Sequence, residues 1–416
     1  MLFFCFFLMT LRLLQIGYTS EWALAKFFPV ILNGYNPGFE LIGICGREPE
    51  KDDAEKRLVS KIDEKENANK EERNWRKKNT DKEIQSSWQI LQRLRDGLDY
   101  FQICQNGNVV IPETDFDAVA IFTKNSTHLD YVRELMKKGI HILCEKPTVV
   151  VTDENHRADR EQLSELETIV ESDNPVSSQS PRFIKMDAEH YSAKIATIAF
   201  YESLGELIAE YGGISKIEAV TKEVDNPDKQ RTRSLLCRDN RTGLLLDMGV
   251  HLFGVISNIG GNVREIKSAK YSAFPGYDVE TYVETEFGIQ GNLFHEDATG
   301  SFKMIKFIDK LKDPEKDDTK KLRVYLRSKK GIETVVTIDF KEGIVIDSNG
   351  RPWYGHSNPK SEEYANVFEL FKKAIERGQA PRTNFRRAIQ NLDTIYRIYE
   401  EFPFEGNLSD VYATAT

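Results

Sequence analysis

Cysteine is scarce in this sequence. The five cysteines, Cys5, Cys45, Cys104, Cys144 and Cys237, have no CxxC spacing and are odd in number, so they cannot all pair. Free thiols in a reducing cytoplasm are therefore expected. Positive charge is in deficit. With 57 Lys and Arg against 66 Asp and Glu the net charge is −9, the wrong sign for a nucleic-acid partner. Long apolar runs are missing too. The opening "MLFFCFFLM" has no basic flank and no small-residue cleavage site, and it is too short to span a bilayer. It runs straight into "LRLLQIG", so Met9 reads as the start and residues 1–8 as an extension, a signal anchor being the alternative. No cluster with metal-ligand spacing, no phosphate-binding P-loop and no nucleophile elbow is present.

What is present fits a folded chain with no membrane segment. The composition, 40% hydrophobic and 30% charged, is that of a globular protein, and 416 residues exceed what one core usually organises. "LRLLQIG" (11–17), "EWALAKFFPVIL" (21–32) and "FELIGICGR" (39–47) read as strand, helix and strand, the βαβ unit of a doubly wound sheet. Residues 48–83 are roughly two thirds charged with mixed signs, which suits a solvated helix with i,i+4 pairs inserted into that domain. The parallel pattern resumes with "DFDAVAIFT" (115–123). A helix follows over 125–139, capped by Asn125 or Ser126 and ended by Gly139, and then the strand "IHIL". A helix over 159–170 precedes a change of character. "ISKIEAVT", "VETYVETEF", "GSFKMIKFI", "LRVYLRS" and "IETVVTIDF" predict a mostly antiparallel sheet, closed by two amphipathic helices.

Two stretches carry chemistry. "CEKPT" places Glu145 and Lys146 at the carboxyl end of a buried strand, the edge where open α/β sheets bind ligands. Buried charges are costly unless paired or used. In "TGLLLDMGVHLFG", Asp247 and His251 stand at i,i+4, where a helix would bring carboxylate and imidazole to one face, as a general base requires. The alternative is a helix-surface pair.

Together "AVAIFTKNSTHLDYVRELMKKGIHILCEKP" and "GLLLDMGVHLFG" resemble the TPNxxH–EKP and GxxxDxGxH segments of the glucose–fructose oxidoreductase and inositol dehydrogenase (Gfo/Idh/MocA) family, in that family's order. The resemblance runs from Met9 to about Phe402. It implies an α/β Rossmann domain for NAD or NADP over 9–150, a linker over 151–179, and an α+β domain with an open-faced antiparallel sheet over 180–405. The active site would lie between the domains. The implied roles are catalytic for Lys146, His251 and Asp247, with Lys146 also touching the cofactor ribose. Thr123, Asn125 and His128 would line the nicotinamide, and Glu145 would make a structural or cofactor contact. A sugar or polyol is the implied substrate, and a homo-oligomer could form through the second sheet.

The departures from that pattern are specific. The dinucleotide glycines reduce to Gly17 in "GYTSEW", with Thr19 where a second glycine lets the backbone approach pyrophosphate. Lys124 replaces the proline of TPN. Arg47 stands where an acid would favour NAD, so NADP is preferred, a surface arginine being the alternative. "MDAEHYSAK" also resembles the DHYxGK strand end of glucose-6-phosphate dehydrogenase, which would make His190, Tyr191 and Lys194 substrate-binding; a structural His190 is the alternative. The expectation is a cytoplasmic NAD(P)-dependent oxidoreductase acting on CH–OH groups. A catalytically inactive binding protein of the same fold is the competing reading.

Overall fold

The computed structural model describes residues 10–20, 23–32, 38–48, 50–72, 80–102, 111–113, 115–148, 159–173, 183–224, 243–308, 318–355 and 360–404. The apolar residues 1–8, Cys5, Cys104, Cys237, residues 73–79 of the charged stretch and residues 151–158 and 174–179 of the linker lie outside them. The chain packs as two compact units, one within residues 1–145, 171–188 and 360–381, the other within 146–170, 189–359 and 382–416.

The first unit is a parallel sheet of six strands: β1 (Leu11–Ile16), β2 (Phe39–Gly46), β3 (Asp99–Gln102), β4 (Ala118–Ile121), β5 (His141–Cys144) and β6 (Lys185–Asp187). Their order is β3-β2-β1-β4-β5-β6. Every residue of β4, "AVAI", is buried, as a strand covered on both faces must be. The order reverses between β1 and β4, so the carboxyl ends of these two strands flank the crevice where such sheets take ligands. After β4 a short 3-10 turn, Asn125–Thr127, leads into the helix His128–Lys138. Gly139 ends that helix with φ 64°, as expected. The cap positions fall elsewhere than at Asn125 or Ser126. The tighter 3-10 turn shifts the cap positions to Lys124 and Thr127, and the Thr127 hydroxyl bonds the Lys124 carbonyl and the Thr123 hydroxyl, each at 2.8 Å.

Two segments join this unit from beyond the boundary expected at 150. β6 pairs with β5, and the helix Lys360–Arg377 brings Phe368 and Phe371 onto Phe27 and Phe39 at ring separations of 5.7 Å. All four rings are buried, so apolar contact rather than chain order decides where that helix belongs. The charged stretch forms the helix Lys51–Glu72, and a further helix begins at Thr80.

The second unit holds an eight-stranded sheet of β7 (Gly213–Glu223), β8 (Asn262–Ser272), β9 (Tyr282–Gln290), β10 (Phe294–Lys306), β11 (Thr319–Arg327), β12 (Glu333–Asp339), β13 (Ile344–Ile346) and β14 (Pro352–Gly355). The order is β14-β13-β12-β11-β7-β10-β9-β8. Pairing is antiparallel except between β7 and β10. β8 gives no clear alternation in sequence because its register shifts twice against β9, between Val263 and Glu265 and between Ile266 and Ser268, and each shift breaks the period of two. Among the described residues no helix is long and apolar enough to cross a membrane.

Gly300 on β10 faces Phe287 on β9, whose buried ring lies where a Cβ would sit, 2.1 Å away. Gly205, by contrast, is exposed in the helix Ile195–Tyr211 and meets nothing within 4 Å. Gly300→Ala is expected to lose ~1–3 kcal/mol through overpacking. Gly205→Ala should gain up to ~1 kcal/mol of helix propensity. Urea midpoints of the two variants check both signs.

Candidate active site

The site residues expected from sequence fall into two groups, one in each unit. In the first unit Gly17 follows β1 with φ 80°, and its amide donates to the Cys45 carbonyl at 2.9 Å. A Cβ there would stand 2.6 Å from the Phe122 carbonyl oxygen, so both conformation and space require glycine. Thr19 is half-buried. Ser20 caps the helical segment that follows, its hydroxyl accepting from the Ala23 amide at 3.0 Å. A glycine turn running into a capped helix at the switch point of a parallel sheet is the donor set a pyrophosphate needs, so these residues fit a dinucleotide.

Thr123 and Asn125 are half-buried beyond the end of β4. His128 behaves otherwise than expected. It is fully buried and its Nε2 donates to the Thr123 carbonyl at 3.2 Å, so here it fixes the turn that presents Thr123. Glu145 is buried just past the end of β5. Arg47 is exposed, directly after β2. The neighbouring Glu48 went unnoticed in the sequence. Its carboxylate accepts from the Tyr18 hydroxyl at 2.5 Å and pairs with the Arg57 guanidinium. Burial would raise its pKa, but the Tyr18 hydroxyl and Arg57 outweigh that and hold it below the usual value. The acid next to Arg47 is therefore engaged inside the protein.

The second group lies wholly within the second unit. Lys146 is 6% exposed, and its Nζ donates to Asp247 Oδ1 at 2.8 Å and to the Asp247 carbonyl at 2.7 Å. Asp247 sits in a π-helical segment, Leu245–Gly249, and His251 in the helix Val250–Asn258 that continues it. Glu280 is fully buried and holds the start of that segment, accepting from the Leu245 amide at 3.1 Å and the Tyr399 hydroxyl at 2.5 Å. Gly243 makes room for it, since a Cβ there would fall 2.1 Å from Glu280 Oε2.

The i,i+4 spacing does not make the expected pair, since no hydrogen bond joins Asp247 and His251. Asp247 holds Lys146 instead, and the carboxylate expected to orient the imidazole is supplied by Glu189. Its Oε1 meets His251 Nδ1 at 2.5 Å, both side chains being buried. Glu189 also accepts from the amides of Tyr191 at 2.8 Å and Ser192 at 2.9 Å. Gly254 leaves space for this carboxylate against the helix.

The ring of His251 is enclosed. Tyr191 stacks on it at 4.4 Å, and His190 approaches edge-on at 4.3 Å. Lys194 Nζ lies 5.4 Å from the Tyr191 ring centre. Burial first, then Lys146, holds the His251 pKa well below the usual value, and Asp247 only partly opposes this. His190 is lowered by burial and then by His251.

Three further charged residues complete the cluster. Lys306 of β10 pairs with its register partner Glu223 of β7, and Lys320 of β11 pairs with the same carboxylate. Lys306 Nζ is 3.7 Å from Asp247 Oδ2. Strand pairing alone brings these three together, so no local motif announces them. Glu189 could have been found, because it directly precedes His190 in "DAEHYSAK".

Residues 99–170 match the model of the GFO_IDH_MocA family, described as an oxidoreductase family with an NAD-binding Rossmann fold. No curated protein matches the sequence. Among solved structures, a levoglucosan dehydrogenase in complex with NADH and levoglucosan is 15% identical, with a TM-score of 0.64 over 94% of this chain and 97% of the other. The aldose-aldose oxidoreductase from Caulobacter crescentus, complexed with glycerol, is 16% identical, with a TM-score of 0.60 over 94% and 97%. The UDP-N-acetylglucosamine 3-dehydrogenase GnnA from Acidithiobacillus ferrooxidans is 13% identical, with a TM-score of 0.59 over 93% and 96%. At these identities the likeness is one of fold, and the family recognised from the motifs is the one matched.

The cluster makes a prediction about acid stability. Burial would raise Asp247, but Lys146 and Lys306 reverse that and depress it far below 3.8. Burial would likewise raise Glu223, which Lys306 and Lys320 bring down from 4.5 to about 2. Both groups are ionised in the folded chain, so the stability they contribute is complete above their unfolded values and lost as pH falls through the folded ones. Asp247→Asn or Glu223→Gln is expected to lower the melting temperature at neutral pH and to flatten its further fall below about pH 4. Melting curves across that range read the slope, and a slope unchanged from wild type would discount the pairing.

Proposed function

We propose that this chain, of Gfo/Idh/MocA type by its matched Rossmann segment and its fold, transfers a hydride between the nicotinamide of NADP or NAD and a carbinol carbon of a sugar, polyol or related small molecule. One observation carries the reading. His251 is buried and held at Nδ1 by Glu189, beside an ammonium, Lys146, that is itself fixed by Asp247. An imidazole bonded to a carboxylate through Nδ1 offers its Nε2 as a base, with the tautomer set by that bond.

In oxidation, Nε2 of His251 accepts the proton of the substrate hydroxyl, and Lys146 polarises and orients the same oxygen. In reduction, both act in reverse. Asp247 is the counterion that holds and aims Lys146. Tyr191 and His190 cover the imidazole, and with Lys194 they would contact the substrate. A bound nicotinamide would supply the hydride acceptor or donor. Gly17, Thr19, Thr123 and Asn125 would hold the dinucleotide, with Lys146, next in the chain after Glu145, reaching its ribose. The sugar-handling structural neighbours support the substrate class without naming the substrate.

Lys146→Met keeps the apolar stem and removes the donor. Loss of such a polarising group is expected to cost ~10²–10⁴ in rate, and His251→Asn should cost a comparable factor. Single-turnover absorbance changes of the nicotinamide, with polyols and sugars as substrates, read both. Near-normal turnover by Lys146→Met would make the pair with Asp247 purely structural.

NADP is the preferred cofactor in this reading. Arg47 is exposed at the end of β2, where it can meet a 2′-phosphate, and Glu48 is committed to Tyr18 and Arg57. Arg47→Ala is expected to weaken NADP(H) by about 1–2 kcal/mol, roughly tenfold, and to leave NAD(H) unchanged. Dissociation constants from tryptophan quenching check it, and an equal effect on both cofactors would sink the assignment.

A further inference from the structure

We propose that Glu189, beyond orienting His251, is where the substrate proton comes to rest, with the Ser192 hydroxyl as its next hydrogen-bonding neighbour. The inference rests on the oxidoreductase reading. As the carbinol carbon gives its hydride to an oxidised nicotinamide, the O–H bond breaks and its proton goes to His251 Nε2. The Nδ1 proton crosses to Glu189 Oε1. The carbonyl product forms, the imidazole is neutral before and after, and the carboxylate has become a carboxylic acid. In the reduction direction the same proton returns.

The geometry gives the proton a place and a neighbouring hydroxyl. His251 Nδ1 and Glu189 Oε1 are 2.5 Å apart with both side chains buried, so the transfer is direct. Tyr191 and His190 close over the imidazole, which denies an imidazolium the water that would solvate it. The cations around the ring act the same way, since Lys146, Lys194 and Lys320 all oppose a charge on His251, and Asp247 offsets them only in part.

Glu189 has the opposite balance. Burial raises it from 4.5 to about 7, against the Ser192 hydroxyl, the amides of Ser192 and Tyr191, and Lys146. Ser192 is the next hydroxyl in line. Its Oγ lies 3.1 Å from the Tyr201 hydroxyl and accepts from Asn258 Nδ2 at 2.7 Å. Arg382 lies over the Tyr201 ring at 5.1 Å and is exposed, and Arg387 donates to Asn258 Oδ1 at 3.1 Å. The charged and titratable groups facing Glu189 are therefore His251 and Asp247 from the π segment and its helix, His190, Tyr191 and Lys194 from its own turn, Lys146, and Tyr201 with Arg382 behind Ser192.

The test has two arms. Carbon NMR of the protein labelled at glutamate carboxyls, without cofactor or substrate, should show one carboxyl titrating near neutrality that is missing from Glu189→Gln. The His251 ring should stay neutral over that range. A Glu189 carboxyl ionised throughout, with His251 titrating instead, would overturn the proposal. The second arm is kinetic. A glutamine carbonyl can still accept from Nδ1 and hold the ring, but it cannot take the proton. Glu189→Gln is expected to lose at least ~100-fold in kcat for alcohol oxidation, with the neutral inflection of kcat/KM against pH moved to lower pH. Ser192→Ala should raise the solvent isotope effect while leaving KM near wild type. A Glu189→Gln variant with wild-type kcat and inflection would reduce Glu189 to a positioning residue. The titration is read on the protein alone. Failure of the wild type to oxidise any carbinol would overturn the oxidoreductase reading and not the location of the proton.

Discussion

An ammonium and a carboxylate taken out of water must answer each other, and the second unit is organised around one such answer, Lys146 with Asp247. Removing either partner of a buried pair leaves a bare charge at a cost of about 3–5 kcal/mol. The pair therefore constrains everything that delivers it. Pro147 follows Lys146 and cannot extend the strand ladder. The π turn sets Asp247 toward that ammonium, and Glu280, backed by Tyr399, fixes where the turn begins. Glycine at 243 is the allowance that Glu280 requires.

The same pair explains the division of labour among the carboxylates. Asp247 is surrounded by Lys146 and Lys306 and stays ionised. Glu189 is nearly as buried as a carboxylate can be, faces an imidazole, and is pushed up toward neutrality. Two acids close to one histidine thus have opposite environments, one committed to charge and one able to change it. Environments that separate titratable groups in this way mark sites of proton chemistry.

The first unit shows a different economy. Its sheet order and the Gly17 turn suit a dinucleotide, yet Thr19 replaces a glycine and Glu48 is drawn onto Tyr18 and Arg57. The requirement at Gly17 is absolute, because the Phe122 carbonyl occupies the space. At position 19 the chain tolerates a side chain, and any phosphate contact there would involve a hydroxyl as well as backbone.

Much of this was legible in the sequence. Continuous apolar runs identified β1, β2, β4 and β5, since a strand buried on both faces can carry little else. Chain order placed Lys146 at the carboxyl end of β5, and the motif spacing singled out Asp247 and His251. Local sequence could not announce β8, whose two register shifts break its period, nor the attachment of the helix Lys360–Arg377 to the first unit, which depends on phenylalanines far apart in the chain. It also could not say which carboxylate serves which base. The i,i+4 spacing of Asp247 and His251 promised a pair, but Asp247 holds Lys146 and His251 is held by Glu189. Lys306, Lys320 and Glu223 meet only because β10, β7 and β11 lie side by side. Residue identity determined which groups were available for chemistry; the tertiary structure decided their partners, because hydrogen bonds and charges act through space and not along the chain.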